Sequence, residues 1–285
     1  PLATILQRVW DQTLKNSQIM LILCGSYIGM MEETVLGYQA PLYGRRTAQY
    51  LLEPLQFKDA RLFYPSFPLE DQVRAYAIYG GTPAYLHTLQ PQQSLKENIL
   101  DGILSRGSFL YDEVRFVLQQ ELREPRNYFA ILQAIAAGKT RLNEIKLATG
   151  IEGATAYLDT LQQLHLVERL VPVTETQPQK SRRGIYRLKD HYLRFWFRYV
   201  HPNRSQLERD GAQIILENQV IPEIDHFSSL TFEEVCQQFF WQAGISGKLP
   251  FVPTNIGNWW NANEEVDLVV LGENDAILVE CKWTS

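Results

Sequence analysis

Within EEVDLVVLGENDAILVECKW, residues 264–283, three charged residues are set into otherwise hydrophobic strand sequence: Asp267, Glu280 and Lys282. Charged side chains are rarely buried in strands without a partner or a metal. The stretch reads as two short strands joined by a polar turn. A four-residue turn at Gly272–Asp275 pairs Leu271 with Ala276, and that register sets Asp267 opposite Glu280. Opposed residues have Cβ atoms roughly 4.5–5.5 Å apart, and two carboxylates that close repel unless a proton or a cation lies between them. Lys282, two residues past Glu280, faces the same side. The matching chemistry is metal-assisted attack on a phosphodiester. Asp267, Glu280 and the Cys281 carbonyl would hold Mg²⁺, and Lys282 would orient or help deprotonate the attacking water. Glu233, on the preceding helix, would add a further acidic ligand. The alternative is a salt-bridged hairpin without catalysis.

Other stretches carry weaker chemistry. Gly138-Lys139-Thr140 is not a phosphate loop: a Walker A motif needs glycine where Gln133 stands and a strand before it, whereas a helix precedes here. Glu144-Ile145-Lys146 repeats the Glu-x-Lys spacing, but on an expected helix, where residues two apart face different ways. A basic group, Lys180, Arg182, Arg183 and Arg187, would supply phosphate contacts. Trp259 and Trp260 are able to stack on bases, although core packing is the simpler role.

These residues need elements to position them. Residues 1–18 read as a helix with Ile5, Leu6, Val9 and Trp10 on one stripe. Ile19–Ser26 reads as a buried parallel strand ending in a polar residue, and QYLLEPL as another strand. From Lys58 to Leu89 the pattern is helical, broken at Tyr79-Gly80-Gly81-Thr82-Pro83, with Pro83 early in the next helix. Helices continue to Pro125. Arg126–Ala137, Leu142–Ala148 and Ala154–Leu164 read as three helices, followed by VERLVPV and GIYRL as a hairpin, a winged helix-turn-helix order. The third helix, in the recognition position, offers Thr155, Tyr157, Asp159, Thr160 and Gln162 but no Arg or Lys, so phosphate contacts fall to the wing. Thr231 before Glu233 and Glu234 reads as the N-cap region of a helix over Ser229–Gln242.

The fold class expected is α/β and α+β multidomain. With a length of 285 residues, two or more domains are expected. A net charge of −5 gives no global basic field for nucleic acid, so contacts must be local. Cys24, Cys236 and Cys281 are scattered among apolar neighbours without metal-finger spacing, which fits a reducing, cytoplasmic setting. No apolar run approaches the ~20 residues of a membrane helix, and no signal peptide is evident. A start at Pro-Leu and a stop just after a strand lead to the expectation of a fragment.

The order IMLILCGSYIGMM, APLYGRRT, YAIYGGTPAYL, RRGIYRLKDHYLRFWFRYV, FEEV, EVD and ECKW resembles the prokaryotic, archaeal-type P-loop ATPases, STAND/AAA+-like, that carry a C-terminal domain of unknown function with a PD-(D/E)xK nuclease-like core. The resemblance covers essentially the whole chain. It implies the end of a P-loop ATPase core over 1–57, a helical lid over 58–125, a winged helix-turn-helix over 126–190, a helical connector over 191–228 and an incomplete nuclease-like, restriction-endonuclease-like domain over 229–285. It further implies that Ser26 senses the γ-phosphate, that Arg45 and Arg46 lie near the nucleotide, and that the turn at Pro83 touches the adenine. Asp267, Glu280 and Lys282 match the nuclease core. ATP as cofactor, Mg²⁺ at Asp267 and Glu280, DNA through the winged helix and a homo-oligomer are the partners implied; no membrane is. The Walker A and B segments of such a family are absent from 1–285, so this polypeptide alone is expected not to hydrolyse ATP. Three functions compete: an ATP-controlled nuclease, a non-catalytic binding or regulatory module with a degenerate nuclease fold, and a plain ATPase signalling module whose C-terminal half only packs against partner subunits.

Overall fold

The computed structural model describes residues 2–25, 31, 35, 37–122 and 125–283. The fold is mixed α+β, mainly helical with two small antiparallel sheets. Contacts divide the chain into two units: Pro1–Glu53 with Phe116–Pro125, and Pro54–Arg115 with Arg126–Ser285.

In the smaller unit, α1 (Leu2–Gln12) is amphipathic, with Leu2, Ile5 and Val9 exposed. The expected strand at Ile19–Ser26 is not formed over its described part. Residues 19–25 are irregular, and Ile19, Met20 and Ile22 are exposed. A parallel strand exists only as part of a ladder, and no described segment pairs with this one. QYLLEPL is likewise coil.

The larger unit is built around α2 (Leu69–Tyr79). Glu70 and Asp71 lie in its first turn, where the helix dipole favours acids. Val73 and the run from Ala75 to Tyr79 are buried. The helix ends at Gly80, whose φ of +67° suits glycine. Gly81 then passes so close to residue 55 that a Cβ there would collide with the Leu55 carbonyl oxygen. Pro83 opens the short helix Pro83–Leu86. Helix α3 (Phe109–Glu121) follows, with residues 109–115 counted in this unit and 116–121 in the smaller one.

Next come α4 (Pro125–Ala136), α5 (Leu142–Thr149) and α6 (Ala154–Gln163). They lead into the hairpin of β1 (Val167–Leu170) and β2 (Ile185–Leu188), paired from Val167↔Leu188 to Leu170↔Ile185. Then α7 (His191–Phe195) is capped by Asp190, whose carboxylate accepts from the Leu193 N–H at 2.8 Å. The aromatic run around it forms the core: Tyr192, Phe195 and Trp196 are fully buried, and the Trp196 indole donates to the Tyr111 carbonyl at 2.8 Å.

One 25-residue helix, α8 (Ile221–Ile245), runs straight through the expected boundary at 228/229. Thr231 is not a cap. It is buried mid-helix, with a hydroxyl that has no partner. Cap preference is a local tendency, and here the burial of residues on both sides outweighs it. Helix α8 packs on α2 and on the second sheet, β3 (Asn255–Trp260), β4 (Glu265–Leu271) and β5 (Ala276–Val279), in that order. Ile256, Leu268 and Val270 form that sheet's core, with Cys236, Phe240 and Trp241 of α8 against it.

Candidate functional site

The turn between β4 and β5 closes with the Gly272 N–H donating to the Asp275 carbonyl at 2.7 Å. The ladder runs from Leu271↔Ala276 to Leu268↔Val279, so its next step sets Asp267 against Glu280. The ladder stops there. The Cys281 N–H, instead of meeting a backbone carbonyl, donates to Asp267 Oδ2 at 2.7 Å.

Two further residues converge on Asp267. The β3–β4 register slips between Gly257 and Trp259, a bulge that frees Asn258 from the ladder. Its amide donates to Glu233 Oε2 at 2.9 Å and to the Asp267 carbonyl at 2.6 Å. Glu233 is carried by α8, which is pinned to β3 by Gln237 donating to the Ile256 carbonyl at 2.8 Å. Burial, and then the charge of Asp267, push the Glu233 carboxyl up to about 7. Two acids compete for one space, and one of them is reluctant to ionise.

Glu280 and Lys282 lie beyond the end of β5 and are exposed. They pair with each other at 2.5 Å. Glu280 raises the affinity of the Lys282 amine for its proton. Among the described residues, no three His, Cys, Asp or Glu side chains are grouped so as to hold a metal ion. Trp283 follows at once, and its indole donates to Asp225 Oδ1 at 3.1 Å. Asp225 is also paired with Arg74 of α2 at 2.6 Å.

A second charged cluster was not singled out from the sequence. Glu234, next to Glu233, takes Arg194 at 3.0 Å, Arg187 at 3.2 Å and His191 at 2.7 Å. Burial alone would raise its carboxyl, but Arg194, His191 and Arg187 hold it well below the usual carboxylate range. His191 also meets the Tyr76 carbonyl at 2.9 Å. The signal available was a pair of acids, FEEV, and cations inside an otherwise aromatic helix, DHYLRFWFRYV.

The basic group is divided by this arrangement. Arg187 is engaged with Glu168 at 2.7 Å as well as with Glu234. Arg183 pairs with Glu175 at 3.0 Å and donates to the Trp260 carbonyl. Lys180 and Arg182 are exposed. Trp259 and Trp260 are half-buried.

Of the residues expected near a nucleotide, Ser26 lies outside the described residues. Arg45 grips Asp11 of α1 through Nε at 2.9 Å and Nη2 at 2.7 Å, and Arg46 is exposed in the coil that follows. Both belong to the smaller unit, while Pro83, also exposed, belongs to the larger one.

Residues 196–285 match the family model DUF234, described as archaea bacterial proteins of unknown function. The chain is 38% identical over 285 residues to the uncharacterized protein MJECL04 of Methanocaldococcus jannaschii, covering 98% of this chain and 63% of that protein. The chain thus spans under two thirds of that relative's length. No solved structure matches. The matched family segment takes in the aromatic run from Trp196, all of α8, the whole β3–β5 sheet and the residues after it, and so includes Glu233, Asp267 and Lys282. No described helix is long and apolar enough to cross a membrane.

Proposed function

We propose that this chain is the control and effector part of a STAND/AAA+-like P-loop ATPase, in which a winged helix over 126–190 and a PD-(D/E)xK-like core after it act on or near DNA. ATP would be held by a segment of the longer protein carrying the Walker motifs, which this chain lacks. The observation that carries the nuclease reading is the convergence of Glu233, from a helix, with Asp267, from the adjoining sheet, around the Asn258 bulge. Glu280 and Lys282 follow at the end of the next strand. Asp267 and Glu233 would hold a divalent cation, which when bound supplies charge neutralisation at a phosphate. Lys282 keeps its proton and orients the attacking water or the phosphate oxygen; Asn258 fixes the Glu233 carboxylate.

The test uses the longer protein, of the length of the M. jannaschii relative, incubated with Mg²⁺ or Mn²⁺ and single-stranded, linear and supercoiled DNA. Cleavage is expected, with Lys282→Ala and Asp267→Asn each lowering the rate roughly 10²–10³-fold. Wild-type protein that cleaves no nucleic acid sinks this reading.

One observation favours a second reading, a non-catalytic binding module. Glu280 and Lys282 point to solvent and satisfy each other. On that reading DNA is bound but not cut, and Asp267→Ala leaves the affinity unchanged.

A further inference from the structure

The apolar layer between α8 and the β3–β5 sheet contains two thiols. Cys236 lies one helical turn beyond Glu233 and so shares its sheet-facing side with Phe240. Cys281 continues the alternation of Ile277 and Val279, the β5 residues that face the same core. Helix period and strand alternation therefore bring two residues 45 positions apart in sequence onto one cluster, packed against Ile256, Leu268 and Val270. Both thiols pack against the same three buried side chains, and each is a side-chain neighbour of the other. Both are reduced and half-buried, whereas Cys24 is exposed in the other unit.

We propose that Cys236 and Cys281 form a redox-responsive dithiol that closes to a disulfide, stapling α8 to the strand that carries the Glu-Cys-Lys triplet. Three links make such a closure consequential. Cys281 donates its N–H to Asp267, Cys236 is three residues from Glu233, and Lys282 is the next residue after Cys281. A bridge would lock the helix-borne and strand-borne acids of the candidate site at one separation. The oxidant class is a peroxide. One thiolate attacks a peroxide oxygen, giving a sulfenic acid and releasing one water after protonation. The second thiolate then attacks the sulfenic sulfur and expels a second water. Two thiols are oxidised, and one hydrogen peroxide is reduced to two waters.

The proposal does not depend on nuclease or ATPase activity. The full chain carrying Cys24→Ser, which leaves only the two thiols in question, is treated with hydrogen peroxide under native conditions and digested with trypsin without reductant. The expected result is loss of both titratable thiols and a single species joining peptides 210–248 and 249–282, lighter by two hydrogens than their sum and split by dithiothreitol. Adding Cys236→Ser removes that species. Sulfinic or sulfonic acid on separate peptides, a disulfide-linked dimer in place of the internal bridge, or two thiols that survive peroxide would each overturn the proposal.

Discussion

Glu233 keeps a proton that an ordinary carboxylate would have lost. Its folded-state value of about 7 lies above the ~4.3 of an unfolded glutamate. Between those values the native state binds more protons than the unfolded chain, so this residue's contribution to stability is present at low pH and declines as pH rises through 7. Glu233→Gln removes that penalty. After discounting for a carboxyl still partly exposed, the variant is expected to gain about 1–2 kcal/mol over wild type at pH 8 and about nothing at pH 4. Urea denaturation at the two pH values measures the difference, and an equal effect at both would contradict the shift. A divalent cation should compete with the same proton. Mn²⁺ is expected to raise the wild-type melting temperature more at pH 8 than at pH 6, and to do so much less in Asp267→Asn. The pairing that frames the site was legible in the sequence, because Gly272–Asp275 is turn chemistry and alternation does the rest. What the sequence left open was that the Glu280 carboxylate pairs with Lys282 in solvent instead of meeting Asp267. Asn258 was not legible either, since its role depends on a bulge that leaves no mark in NIGNWW beyond its glycine.

The elements are tied together through Glu234, which joins β2, α7 and α8 by its three basic partners, while His191 carries the link on to α2. A buried ionic cluster is no great source of stability when complete, but removing one member leaves charges unpaired. Glu234→Gln strands Arg194, Arg187 and His191 together and is expected to destabilise the larger unit by about 3–5 kcal/mol at neutral pH, read from the urea midpoint. Because the Glu234 carboxyl is held low, the stabilisation it gives is complete above the unfolded value near ~4.3 and is lost as pH falls further below it. Gly81 marks a second dependence of the same unit, for its backbone contact with Leu55 leaves no room for a side chain. Gly81→Ala is expected to cost about 1–3 kcal/mol through overpacking. The helices were readable from their 3.6-residue pattern, and the hairpin of β1 and β2 from its apolar runs. What misled was Thr231, a local cap signal inside a helix whose extent is set by tertiary burial, and Ile19–Ser26, an apolar run whose strand character depends on neighbours.

At the scale of the whole molecule, charge decides how nucleic acid would be held. A net charge of −5 means that binding through the hairpin of β1 and β2 works against the field of the rest of the chain. The cations on offer there are fewer than the composition implies. Arg187 is committed to Glu168 and Glu234, so pulling it toward a phosphate would break the cluster that joins β2 to α8. Arg183 is held by a partly exposed pair with Glu175, worth little in water, and by a longer bond to the Trp260 carbonyl, and is recruitable. Lys180 and Arg182 are exposed. Two or three neutralised phosphates on duplex DNA give a slope of log K against log salt of roughly −2 to −3, at about −0.9 per contact. Lys180→Ala with Arg182→Ala should therefore reduce the slope to about −1 without moving the urea midpoint. Arg187→Gln should do the opposite, lowering the midpoint and leaving the slope in place. A wild-type slope steeper than about −6 would mean that another surface of the molecule carries the contact, and the hairpin would lose its claim to be the nucleic-acid face.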